Sequence, residues 1–203
     1  MKHLKDIITE KLKISSALKK HYKYFPKTKE ELREILEERL AKDKDADLND
    51  IDVSQITDML RLFKDLDPHN IDISKWNVYN VTNMESMFYG CENFNSDLSN
   101  WNVSSVTNMD GMFYNCENFN SDLSNWNVSK VENMSRMFFN CKQFNSDLNN
   151  WDISNVENMN SMFYNCENFN SDLSNWDISH VKDIDLMFDH CNSLKNKPIW
   201  YKE

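Results

Sequence analysis

Glycine is almost missing from this chain, with two in 203 residues, and proline is little commoner at three. A chain that turns often cannot then rely on the residue that enters left-handed backbone most freely, so Asn has to do that work. No apolar run approaches the roughly 18 residues that a membrane-spanning helix needs. The opening MKHLKDIITEKLK carries charge throughout and lacks the apolar core of a signal peptide. No cysteine precedes Cys91, which leaves no lipid-attachment residue near the start. These absences lead us to expect a soluble, cytoplasmic protein, with the cell surface, reached by a non-standard export route, as the alternative.

Cysteine is present but sparse, as Cys91, Cys116, Cys141, Cys166 and Cys191, in steps of 25 residues. No two lie within the short spacings of tetrahedral zinc ligation, so the expectation is reduced, buried thiols and no metal. Trp76, Trp101, Trp126, Trp151 and Trp176 share the period of 25, and Ile51, Met59, Leu62, Phe63 and Leu66 keep the same frame in degraded form. A fixed period of this length marks a stacked array. About six coils begin near residues 51, 76, 101, 126, 151 and 176.

Within a coil, Met84, Met87, Phe88 and Cys91 have the i, i+3, i+4, i+7 spacing of one helical face. Asn83 and its equivalents Asp58, Asn108, Asn133, Asn158 and Asp183 stand where an N-cap belongs, and Thr82 with Glu85 offers an alternative cap one residue earlier. Gly90, Asn115, Asn140 and Asn165 stand where a left-handed residue would close the helix. Leu98, Trp101 and Val103 fit the spacing of leucine-rich coils and suggest one or two short strands. The fold class expected is therefore α/β, with a short strand and a short helix per coil.

The string WNVSSVTNMDGMFYNCENFNSDL, from Trp101 to Leu123, resembles the BspA-type leucine-rich repeats of bacterial surface proteins, and the resemblance runs from residue 51 to about 195. It implies a right-handed leucine-rich-like solenoid and a role in adhesion or protein binding. It carries no catalytic residues.

The flanks read differently. Leu4, Ile7, Ile8, Leu12, Leu18, Tyr22 and Phe25 form a helical stripe that stops at Pro26, and Thr28 with Glu31 opens a second helix bearing Leu32, Ile35, Leu36 and Leu40. Residues 1–45 thus make an α-helical N-terminal cap, and 46–203 the repeats. The first 45 residues carry 13 Lys or Arg against 9 Asp or Glu, and the remainder 10 against 24. Acidic repeats repel phosphate, which disfavours nucleic acid. AKDKDADLNDID lacks the Gly and the bidentate Glu of a calcium loop and reads as a solvated acidic linker. Residues 196–203 read as a lid, with Ile199, Trp200 and Tyr201 folded over the open end and Pro198 stopping further pairing.

Positions that differ between copies point to solvent. A recognition surface would draw on Asn80, Lys130, Glu132, Arg136, Asn155 and His180, with Glu85, Asp110 and Asn160 nearby. Asn77, Asn102, Asn127, Asp152 and Asp177 form one polar ladder, and Asp97, Asp122, Asp147 and Asp172 another. Local amide bonds account for both before bridging calcium does. His190 beside Cys191 is no catalytic pair, because Cys191 only continues a ladder whose other members lack a His at that place. The reading is a non-catalytic scaffold with no cofactor and no small-molecule substrate, binding a protein partner or itself. The alternative is a structural assembly or virion subunit whose repeats act as a spacer and whose N-terminal helices dock.

Overall fold

The structure is a computed structural model that describes residues 21–202. One hydrogen-bond pattern, repeated, sets its architecture. Asp58, Asn83, Asn108, Asn133, Asn158 and Asp183 form a row of parallel bridges between residues 25 apart. Before each bridge an amide reaches back, as Thr107 N does to the Thr82 carbonyl at 2.8 Å. After it, alternate amides reach forward: Met84, Ser86, Phe88 and Gly90 donate to the carbonyls of Asn108, Asp110, Met112 and Tyr114 at 2.8–2.9 Å. Successive 25-residue units therefore lie directly on one another.

The helix expected in every unit does not form. Residues 84–91 are two back-to-back turns, closed by Met87 N on the Met84 carbonyl (3.2 Å) and by Cys91 N on the Phe88 carbonyl (3.0 Å). The third residue of each turn is left-handed, Ser86 at φ 53° and Gly90 at φ 75°, as in a type II turn. Corner residues of two consecutive four-residue turns fall at i, i+3, i+4 and i+7, the same spacing as a helical face. A helix would have kept the alternate amides inside the segment, whereas turns leave them free to bond the next unit. Asn83 does accept an amide, that of Glu85 at 3.0 Å, but in an Asx turn and not as a helix cap. Nor does Thr82 cap a helix; its hydroxyl donates to the Thr57 carbonyl at 3.3 Å. Strands reduce to the single bridges, among the described residues.

Stacking puts like on like in the core. Trp76 lies on Trp101 with centroids 6.4 Å apart, and Phe88 on Phe113 at 5.5 Å, both pairs within 7° of parallel. Phe94 fills the space beside Phe88 at 4.0 Å. Each indole N–H finds a carbonyl in the preceding unit, as Trp126 Nε1 does on Leu98 O at 3.0 Å. The thiols do the same, Cys116 Sγ lying 3.0 Å from Phe88 O. Met, Val and Leu at the other corners are also buried, and full burial of such a side chain stabilises by about 1.5–3 kcal/mol. A polar row runs through this core: Leu98 N donates to Ser121 Oγ, and Leu123 N to Ser146 Oγ, at 2.9 Å.

The N-terminal end is covered by helix α1, Lys29–Leu40, capped by Thr28 Oγ1, which accepts from Glu31 N at 3.2 Å. Leu32, Leu36 and Leu40 are buried in the common core. Arg33 on α1 donates to the carbonyls of Leu62 (2.8 Å) and Lys64 (2.7 Å). The earlier helical stripe lies outside the described residues as far as Leu18. Within them, Tyr24 is extended and bridges Ile51, and Phe25 is exposed, so neither the helix nor its buried face reaches Pro26. The acidic stretch is no linker: Ala46, Leu48, Asn49, Ile51 and Val53 are buried, and Leu48 N donates to Asp72 O at 2.9 Å. The first half-unit thus begins there, its carboxylates absorbed in turns such as Asn49 N on Asp47 Oδ1.

At the other end Trp200 continues the indole ladder on Trp176 at 6.5 Å, and Tyr201 stands edge-on to Phe188 at 5.0 Å. Pro198 is buried, but Ile199 is 95 % exposed and takes no part in the lid.

Candidate interaction surface

Two rows of exposed residues follow from the turn geometry. Val81 N donates to Val78 O at 2.9 Å, and the same turn closes at 103–106, 128–131, 153–156 and 178–181. Its corners up to Val156 are buried, so its two central residues, 79–80, 104–105, 129–130, 154–155 and 179–180, stand out from the core. The second of the two, at 80, 105, 130, 155 and 180, reads Asn, Ser, Lys, Asn and His. Asn80, Lys130, Asn155 and His180 lie in one such row, and Glu132 lies in the next, where each backbone amide bonds the unit before.

The structure separates the six candidates. Asn80 and Asn155 are exposed but tied to the preceding unit, their amides donating to Ser54 O at 2.9 Å and Ser129 O at 2.7 Å. Lys130, Glu132 and His180 are exposed, with His180 Nδ1 3.3 Å from Ser179 Oγ. Arg136 is not in their rows. It is the left-handed turn residue at φ 52°, and its charge bears on Asp110. Burial pushes the Asp110 carboxyl up; Arg136 opposes that shift and Glu85 adds to it. Glu85 Oε2 also accepts from Asn108 at 3.1 Å, and Asn160 donates to Asp183 at 3.3 Å.

The acidic ladders are engaged locally. Asp97, Asp122, Asp147 and Asp172 accept the amide two residues on at 2.9–3.0 Å. Bonds from the amide and hydroxyl of Ser124 hold Asp122, and bonds from the hydroxyl and amide of Ser174 hold Asp172, below the usual carboxylate range. Among the described residues no three His, Cys, Asp or Glu side chains converge as a metal site would require. Cys191 Sγ lies 2.8 Å from Phe163 O, and His190 turns edge-on to Tyr164 at 5.2 Å.

A further surface row is built of stacked rings. Tyr89, Tyr114, Phe139 and Tyr164 stack with centroids 4.6–4.7 Å apart, and Lys64 caps the stack 5.7 Å from the Tyr89 centroid. These rings follow the buried Phe by one residue, and a period-25 aromatic outside the apolar stripe was the available signal.

No helix among the described residues is long and apolar enough to cross a membrane. No curated protein and no solved structure matches the chain. One family model matches twice, over residues 31–133 and 99–201, as overlapping copies along the repeats. The chain therefore belongs to the family described as Mycoplasma protein of unknown function, DUF285.

Proposed function

We propose that this protein is a non-catalytic, protein-binding scaffold whose units wind as a right-handed leucine-rich-like solenoid. A single observation carries the reading. The Trp and Cys repeated in every unit are consumed between units, by indole and thiol bonds, whereas Lys130, Glu132 and His180 are exposed turn and ladder residues that change from unit to unit. Chemistry spent on stacking leaves the variable rows as the surface that distinguishes this chain. The BspA-type resemblance supports the same reading, with adhesion as one form of it.

The test is affinity capture from the producing cell, comparing the native chain with a Lys130→Ala, Glu132→Ala, His180→Ala variant, alongside light scattering. Specific capture lost in the variant, from a concentration-independent monomer, supports the proposal. Undiminished capture removes the variable rows from the account. A defined oligomer that disappears when residues 1–45 are deleted favours the structural-subunit reading instead.

A further inference from the structure

One face of the stack has no apolar residue in its groove. Between the turns at 120–125 and 145–150 lies an open cavity of roughly 510 Å³, within the size range of small-ligand sites. Asn, Ser and Asp make up its whole lining, and Asn120, Asp122, Asn145 and Asp147 are exposed there.

The backbone fixes how these side chains are presented. Asn120 N donates to Asn95 Oδ1, Asn145 N to Asn120 Oδ1 and Asn170 N to Asn145 Oδ1, at 2.8–3.0 Å. Each rung thus holds its side-chain amide by the oxygen. The NH2 groups of Asn120 and Asn145 have no acceptor among the described residues. The carboxylates are held in the same one-sided way. Asp122 Oδ1 accepts from Ser124 N at 2.9 Å and Ser146 Oγ at 3.3 Å, and Asp147 Oδ1 from Asn149 N at 3.0 Å and Ser171 Oγ at 3.3 Å. Their Oδ2 atoms keep capacity for a further donor. Each rung therefore offers a donor and, two residues on, an acceptor, both fixed before anything binds.

That pairing selects the occupant. Ammonium groups only donate and ionised phosphate or carboxylate groups only accept, whereas a hydroxyl does both. Two carboxylates repel an anion, and among the described residues no three His, Cys, Asp or Glu side chains converge on a metal ion. Peptide recognition draws on apolar pockets as well as backbone bonds, and this lining has none. The same donor and acceptor return on successive rungs, whose adjoining rings Phe94, Phe119, Phe144 and Phe169 stand 5.8–6.1 Å apart, the scale of one sugar ring.

We propose that this groove binds a neutral glycan, its hydroxyls accepting from Asn120 and Asn145 and donating to Asp122 and Asp147. A linear chain of sugar rings repeats these contacts along the stack. The site goes beyond the protein-binding reading, shares no residue with the variable rows and stands without them.

The test is NMR of the side-chain amides in the full chain, titrated with cellotetraose, maltotetraose and chitotetraose, with and without calcium. At least one tetramer should shift the NH2 signals of Asn120 and Asn145 saturably at millimolar concentration, in the absence of calcium. Asn120→Asp with Asn145→Asp keeps the oxygen that the next rung bonds and replaces only the donor, and should weaken binding on the order of tenfold. Asp122→Asn with Asp147→Asn makes the reciprocal exchange and should do the same. The Lys130→Ala, Glu132→Ala, His180→Ala variant should bind as the native chain does. No saturable shift with any tetramer, shifts seen only with added calcium, or equal binding of the anionic tetragalacturonate each overturns the proposal. Undiminished binding by a folded double variant of either kind does so as well.

Discussion

At the scale of single residues, an Asx side chain accepting the amide two positions on replaces glycine as the turning device. Asn77, Asn83 and Asp97 each do this within one unit, at 3.3, 3.0 and 2.9 Å. Left-handed backbone at Asn115, Asn140 and Asn165 was readable because Asn tolerates it. The equally left-handed Arg61, Ser86, Arg136, Ser161 and Leu186 were not, since nothing in those side chains signals it. Only Gly111 occupies that position at no conformational cost. Gly111→Ala should therefore lose about 1 kcal/mol, its Cβ also meeting Ser86 Oγ at 3.4 Å, and Arg136→Gly should gain a similar amount. Urea midpoints that shift the other way would contradict this account of the turn. Burial pushes the Cys91 and Cys191 thiols up to about 12 and the three between them well above the ordinary value. All five should resist alkylation at pH 8 in the native protein and react in denaturant, as mass spectrometry can count.

At the scale of elements, α1 works as a cap because its buried face and its Arg33 serve the same end of the stack. Its start and stripe were legible, with Thr28 before an apolar i, i+4, i+8 series of Leu32, Leu36 and Leu40. The bonds made by Arg33 were not, because their acceptors are carbonyls nearly thirty residues away. Thr28→Ala should cost about 1 kcal/mol and Arg33→Met about 1.5–3 kcal/mol in thermal or urea unfolding, the larger loss leaving carbonyls unpaired. Arg39 and Lys23 hold Asp50 at 3.0 Å each, joining α1 and the extended segment before it to the first unit. Burial alone would raise the Asp50 carboxyl, but the bonds and charges of Lys23 and Arg39 outweigh it and keep it below the usual range. Such a group stabilises the fold above its unfolded value of about 3.9, and the contribution fades as pH falls through the lower folded value. Asp50→Asn should thus lower the melting temperature at pH 7, with the difference from the native chain closing below about pH 4. A difference that persists unchanged at pH 3 would remove Asp50 from the cap.

At the scale of the whole molecule, each unit meets its neighbours through a ladder of bonds and a ladder of rings repeated every 25 residues. Stability is then close to a sum of unit and interface contributions. Removing residues 101–125 leaves the 25-residue register intact. That deletion should yield a folded, shorter protein whose urea m-value falls in proportion to the surface lost. Circular dichroism showing no cooperative transition would mean that the units do not stack independently.

Period, phase and inward-facing set are properties of the sequence alone, because apolar corners must recur in register for Trp, Met, Phe and Cys to leave water together. The capping helix was legible from its own cap and apolar spacing. What only the tertiary structure decided is where the backbone groups go. The spacing i, i+3, i+4, i+7 serves a helix or a pair of turns equally well, and the choice falls to amides that gain partners in the adjoining unit. The same bonds turn an acidic stretch into the first half-unit, since pairing across units is invisible to any one of them.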